Sequence, residues 1–403
     1  MKGSNLTTTL LRNARIVLPE RTVEPSSLLA KSDRIARLFE STTDPIPKSD
    51  FVIDLSGLTV FPGFIDVHMH GAVGIDTMTA TQSDLDRVSQ FLATRGVTGW
   101  LPTLVPAPAA DYAPAIKSTA EAMEGQRQAG RLRSQGARIL GVHYEGPFVN
   151  SAQCGALHAQ FFRTFSGAGD LDDLPRLDDE SAQHMMTVAP EIDGGVELVR
   201  ELTRRGWLVA LGHTRADFDL LDKALAAGAR HMTHFMNAMA PLHQRAPGPI
   251  GWGLSRDDVT CDFIADGIHL DSHVLQLLLK LKRADRLSLI SDAVAAAGMG
   301  DGAYEIWGET ITVRNGRTSN AHGTIAGSVI TMLDAVTMML SVGASEVEVA
   351  KMAATNPARL LGIDQDCGSI EEGQRADFVA LDADRNVVFT MIGGVIVFDA
   401  RKK

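Results

Sequence analysis

Phe64-Ile65-Asp66-Val67-His68-Met69-His70, entered through Pro62-Gly63, opens a series of eight apolar runs along the middle of the chain. Its length suits a buried strand, and it ends on two histidines. Residues two apart on a strand face the same way, so His68 and His70 aim at one point while Met69 faces the opposite layer. The other runs are 99–105, 138–145, 184–190, 207–213, 230–235, 260–266 and 287–292. Helical patterns lie between most of them, at 82–95, 111–129, 195–205, 216–227 and 272–282. Continuous apolar strands alternating with helices predict a parallel sheet covered on both faces. Eight strands are the count that closes a (β/α)8 TIM-like barrel of about 250 residues. A doubly wound open sheet is the rival, but the first βα turn lacks the Gly-x-Gly-x-x-Gly of a dinucleotide fold.

Outward from this middle the pattern changes. Segments 10–18, 28–38 and 51–60 are short, β-rich and broken by Pro, Ser and Asp, and 377–381, 387–391 and 395–399 read the same way. Gly393-Gly394 is a hairpin turn by composition. Chain ends often lie together, so the expectation is one small β-sandwich domain built from 1–62 and 363–403 around a barrel spanning 63–362. Residues 302–318 read as a β insertion after the eighth strand, with Asn315-Gly316 as a turn.

Composition narrows the function classes. The 403 residues are 45% hydrophobic and 22% charged, which excludes a disordered chain or a fibre. Lys and Arg number 38 against 49 acidic residues, a net charge of −11, and nucleic-acid binding needs the opposite sign. Three scattered cysteines, Cys154, Cys261 and Cys367, make no disulfide framework, so a reducing cytoplasm is expected. No signal peptide is expected in the first 30 residues, and no apolar stretch reaches the ~18 residues of a membrane span.

In a barrel of this kind the active site lies at the C-terminal strand ends. His68 and His70 end the first run, Glu145 the third, His213 the fifth, His234 closes the sixth and Asp292 the eighth. Only 12 residues are histidine, so four of them at three strand ends is a poor match to chance. Imidazole with carboxylate suits Zn²⁺, and also Fe²⁺ or Mn²⁺. Such an ion lowers the pKa of a bound water to about 7, and Asp292 is then the natural general base. Asp76, Asp84 and Asp86 read as a solvated or helix-capping face.

These residues carry a resemblance. Pro62–Gly71 resembles the opening motif of the amidohydrolase superfamily. His143-Tyr144-Glu145-Gly146-Pro147-Phe148, Leu211-Gly212-His213-Thr214, His231-Met232-Thr233-His234-Phe235-Met236-Asn237-Ala238-Met239, Ile264-Ala265-Asp266-Gly267-Ile268-His269 and Ser291-Asp292-Ala293 are similar to its N-acetylglucosamine-6-phosphate deacetylase branch. The resemblance implies a homodimer that removes acetate from an amino-sugar phosphate. It implies Glu145, His213 and His234 as ligands of a principal metal, His68 and His70 as ligands of a second, and Asp292 as acid/base. It implies Ala156, Asn237, Ala238, Arg245 and His269 as substrate contacts, Arg245 reaching in from the neighbouring subunit, and His158 as a group polarising the amide carbonyl. The chain departs from the branch at Gly155-Ala156-Leu157-His158, one residue longer before the histidine, at Arg245-Ala246-Pro247-Gly248, where an acid is usual, and at His322, where an aspartate is usual. Alternatives are deacetylation of N-acetylgalactosamine 6-phosphate or an N-acyl amino acid, a cyclic amidase, or an inactive barrel serving as an assembly partner. A cyclic amidase often bridges its ions with a lysine on strand 4, and 184–190 has none.

Overall fold

The computed structural model describes residues 7–40, 47–129 and 136–402. The parts of the expected β domain at 1–6, 41–46 and 403 lie outside these.

Each of the eight apolar runs contains a strand. Barrel strands 1 to 8 are Phe64–Met69, Val97–Leu104, Gly141–Glu145, Gln183–Val188, Leu208–Leu211, His231–Met232, Thr260–Ile264 and Leu287–Ile290. They pair in parallel in chain order. The predicted helices appear as Gln82–Ala93, Ala109–Ala129, Gly195–Arg204, Phe218–Ala227 and Ser272–Leu281. Thr81 starts the first through a capping box with Asp84, which satisfies helix N–H groups that have no intrahelical partner. Two barrel helices that the pattern did not single out, Gly248–Ser255 and Met332–Ser341, follow strands 6 and 8. Met69 joins the large cluster between sheet and helices, while Ile65, Val67, Leu101, Met185, Ala210, Ile264 and Ile290 form a second buried cluster.

Strands 8 and 1 meet at their C-terminal ends. Asp292 N–H donates to the His68 carbonyl at 3.0 Å, and the His70 and Gly71 N–H groups donate to the Ala293 carbonyl at 2.7 and 3.1 Å. Asp66, fully buried, accepts from Ser291 Oγ at 2.5 Å and from Ser291 N at 3.3 Å. Burial outweighs these bonds and raises its carboxyl pKa to about 6.

Both chain ends share one eight-stranded sheet. Thr59–Pro62 pairs antiparallel with Phe378–Leu381, and the order runs Val395–Asp399, Val387–Ile392, Phe378–Leu381, Thr59–Pro62, Thr8–Val17, Thr22–Lys31, Arg34–Phe39, with Phe51–Asp54 also on Thr8–Val17. Leu11, Ile16, Leu28, Phe378, Phe389 and Met391 belong to its core. Gly393 and Gly394 both take positive φ, 55° and 75°, as a two-residue hairpin turn requires. The broken β-rich segments are small strands with turns between them, as expected: 28–38 spans two strands around a turn at Ser32, φ 60°, and 51–60 spans the strand Phe51–Asp54 and the start of Thr59–Pro62 around a break at Gly57, φ 78°. Only Gly63 separates sheet from barrel. A Cβ there would lie 2.2 Å from Thr98 Cγ2. Arg138 braces the two parts through Asp377 at 3.1 Å, and Arg375, two residues before Asp377, holds the same carboxylate at 3.3 Å.

Candidate metal centre and active-site cavity

The strand ends deliver their polar side chains to one buried point. Glu145 Oε1 lies 2.9 Å from both His213 Nε2 and His234 Nε2, and Glu145 Oε2 lies 3.2 Å from His70 Nε2. The His68 and His70 Nε2 atoms are 3.2 Å apart, and those of His213 and His234 are 3.0 Å apart. Asp292 Oδ1 is 3.2 Å from His70 Nε2 and 3.5 Å from His68 Nε2. All six residues are buried.

Backbone conformation turns these side chains inward. His213, His234 and Asp292 have φ of 48°, 31° and 49°, left-handed values that non-glycine residues take at a cost. The fold holds them there. The buried Asp262 accepts the His234 backbone N–H and bonds His231 Nε2 at 2.8 Å. Asp292 is fixed by its bond to the His68 carbonyl.

The outer ring nitrogens set the chemistry of the inner ones. Nδ1 of His213 faces the Gln153 carbonyl at 2.7 Å, Nδ1 of His234 the Asn237 carbonyl at 3.2 Å, and Nδ1 of His70 the Thr103 carbonyl at 3.3 Å. A carbonyl only accepts, so these Nδ1 atoms carry the proton and their Nε2 lone pairs converge on Glu145. Converging lone pairs beside a carboxylate call for a cation. Two groups of three donors satisfy this geometry and share Glu145: His68, His70 and Glu145, and Glu145, His213 and His234. The donor set suits a divalent ion such as zinc.

Without an ion, protons take its place at the inner nitrogens. Burial pulls the His70 imidazolium pKa down, but Asp292 and Glu145 outweigh it and raise it to about 10. His234 behaves likewise, burial opposed chiefly by Glu145, and rises to about 9. Burial raises the Glu145 carboxyl, and the surrounding histidines overcome this and hold it well below the usual range. Beneath, burial and the neighbouring His68 keep His143 neutral, with its Nε2 2.8 Å from Thr187 Oγ1.

A cavity of about 260 Å³ opens above the centre. Ala156, Asn237, Ala238 and His269 line it with the ligand residues. Asn237 Nδ2 is buried without a protein partner, and Asp266 fixes the His269 ring through Nδ1 at 2.7 Å. Two expected residues stand apart. His158 is not among the lining residues: Leu157 is, and His158 Nε2 lies 3.9 Å from Glu309. Arg245 sits in an exposed loop outside this lining. Asp76 is not on a solvated face: it is partly buried, accepts Met78 N–H at 2.8 Å, and has its pKa raised by burial. Sequence reading missed Asp66, Asp262 and Trp307. The first two carried a signal, since a carboxylate inside an apolar run needs a partner. Trp307, in the β insertion, carried none.

A parallel barrel with a shared Glu145 and two histidine pairs at its strand ends, groups that could hold metal ions, is the architecture of an amidohydrolase-type enzyme. Residues 59–397 match the model of the amidohydrolase family. The N-acetylglucosamine-6-phosphate deacetylase of Bacillus subtilis (strain 168) is 36% identical over 85% of this chain and 85% of its own. The N-acetylgalactosamine-6-phosphate deacetylase of Escherichia coli O157:H7 is 34% identical over 96% of this chain and 98% of its own. A mutant N-acetyl-D-glucosamine-6-phosphate deacetylase of Mycobacterium smegmatis, solved in complex with N-acetyl-D-glucosamine-6-phosphate, superposes with a TM-score of 0.86 at 30% identity, covering 97% of this chain and 99% of that one. The chain belongs to the amidohydrolase family and, within it, to the N-acetylglucosamine-6-phosphate deacetylases.

Proposed function

We propose that this enzyme hydrolyses the acetamide of N-acetylglucosamine 6-phosphate to acetate and glucosamine 6-phosphate. The observation that carries the reading is Asp292, a fixed carboxylate 3.2 Å from His70, beside two histidine pairs joined by Glu145. One or two divalent ions, zinc before iron or manganese, would be held by His68, His70, Glu145, His213 and His234. A bound ion supplies polarisation of the amide carbonyl and a water acidic enough to attack near neutral pH.

Asp292 then accepts the proton of the attacking water and passes it to the departing amine. Asn237 offers its free N–H to the sugar, and His269, locked by Asp266, offers its other ring nitrogen. Ala156 and Ala238 let the substrate approach backbone closely. Arg245 serves the phosphate of a neighbouring subunit in a homodimer, which its exposure outside its own cavity suits. His158 would have to swing away from Glu309 to reach the carbonyl, and an unchanged kcat in His158→Ala would remove it. The hydrolase unit is 63–362, braced by the terminal β domain. The three free cysteines fit a reducing cytoplasm, and among the described residues no helix is long and apolar enough to cross a membrane.

A second reading exchanges the sugar epimer, favoured by the galactosamine-specific name of a relative matched over nearly the whole chain. Acetate release from N-acetylglucosamine with and without 6-phosphate, and from the 6-phosphates of its galactosamine and mannosamine epimers, tests both. The highest kcat/KM is expected on N-acetylglucosamine 6-phosphate. Preference for the galactosamine epimer would select the second reading, and silence on every sugar phosphate would sink both.

A further inference from the structure

We infer that Trp307 limits the length of the acyl group the site accepts, an inference that rests on the proposed deacetylase reading. Trp307 and Gly308 form the two-residue turn between strands Gly302–Ile306 and Glu309–Arg314, with φ of 53° and 77°. Such turns favour Asn or Asp followed by Gly, and a bulky side chain at positive φ is strained. Strain of this kind persists where the surroundings over-determine it, often at functional sites. Here Trp307, half-buried at the turn tip, lines the active-site cavity while Gly308 faces solvent, and Trp307 is the one indole or phenyl ring among the lining residues.

The ring is held on several sides. It stands edge-on to the His70 ring, with centroids 5.1 Å apart and planes at 85°. It packs against the insertion's own apolar cluster, which includes Ile306 and Ile311, and against a separate cluster that includes Leu157. Its Nε1 is buried and, although near enough to Asp76 to lower that carboxyl slightly, does not reach hydrogen-bond geometry. A protein hydrogen bond therefore does not explain its position, whereas an apolar wall does.

The reacting amide carbon must lie within reach of Asp292 and the ligand histidines. The acyl tail leaves that carbon as the apolar end of the substrate, while the sugar carries the hydroxyls and phosphate. Asn237 and His269 suit the sugar. Trp307, in ring contact with His70, is the large apolar surface next to the reacting atoms, so it faces the acyl tail. A methyl fits before a rigid indole, and a longer chain collides with it.

The test compares kcat/KM for the N-acetyl, N-propionyl and N-butyryl forms of glucosamine 6-phosphate in metal-loaded wild type, Trp307→Ala and Trp307→Leu, with metal content and melting as checks of integrity. Wild type should prefer acetyl over butyryl by at least about tenfold, and Trp307→Ala should raise the butyryl-to-acetyl ratio by at least about tenfold. Trp307→Leu should raise it less, and it carries the test if the alanine variant loses metal or fold. A ratio unchanged in intact variants, with both substrates slowed alike, would overturn the inference and make Trp307 structural. A wild type that already takes butyryl as well as acetyl would overturn it too. A wild type idle on every N-acyl form would instead overturn the proposed function, and the inference with it.

Discussion

Asp292 shares its Oδ1 between His68 and His70 at 3.5 and 3.2 Å, and its own backbone is pinned at positive φ, so its carboxylate has one orientation. Asp292→Asn keeps the shape but accepts no proton. We expect kcat to fall by about 10²–10⁴-fold with metal content nearly unchanged; near-normal turnover would exclude it as the base. The histidines make a second prediction. Taken as side chains alone, His70 and His234 hold protons up to about pH 10 and about 9. An ion must displace those protons, so binding should release protons at pH 7.5 and affinity should fall as pH falls. Calorimetry of zinc binding in buffers of different ionisation enthalpy reads the proton count, and a count of zero would contradict this electrostatic account. At this scale the sequence was informative where chemistry constrains residue type. His68, His70, Glu145, His213, His234 and Asp292 stand out because histidines and acids are rare at the ends of apolar runs. Trp307 and the outward position of His158 were not legible, because a turn residue's direction depends on distant packing.

Among the elements, the barrel strands were read closely because burial on both faces writes continuous apolar runs. In the terminal sheet the breaks were legible from polar residues but the pairing was not: at Ser32 the chain reverses into an antiparallel pair, whereas the strands on either side of Gly57 both run parallel to Thr8–Val17, and no periodicity tells the two apart. The junction between sheet and barrel is a matter of volume. A Cβ on Gly63 would meet Thr98 Cγ2, Oγ1 and Cβ at 2.2, 2.3 and 2.8 Å, and a β-branched side chain attached to a barrel strand has little room to yield. Gly63→Ala should therefore destabilise the fold by about 1–3 kcal/mol, the usual cost of overpacking, as read from denaturant unfolding monitored by circular dichroism. An unchanged midpoint would mean that the junction is slack.

The molecule as a whole carries a net charge of −11, yet its proposed substrate is a dianion, so recognition has to be local. An arginine presents a planar fork of donors matched to phosphate oxygens. Arg245→Ala should lower kcat/KM on the 6-phosphate substrate by about 10–100-fold, the loss of one charge-assisted hydrogen bond, and barely alter the unphosphorylated sugar. Mixing Arg245→Ala with Asp292→Asn subunits should restore activity if the arginine serves its neighbour; no rescue after confirmed subunit exchange would return it to its own cavity. Quaternary arrangement was the level least legible in the residues, since an exposed loop reads alike whether it meets water or a partner. The account as a whole rests on one carboxylate, Glu145, joining two histidine pairs. The direct measurement is metal content per chain by plasma mass spectrometry after reconstitution, in wild type and in the His68→Ala/His70→Ala double variant. The account predicts about two ions in wild type, about one in the double variant, and loss of activity in the latter. One ion in both, with activity intact, would contradict it.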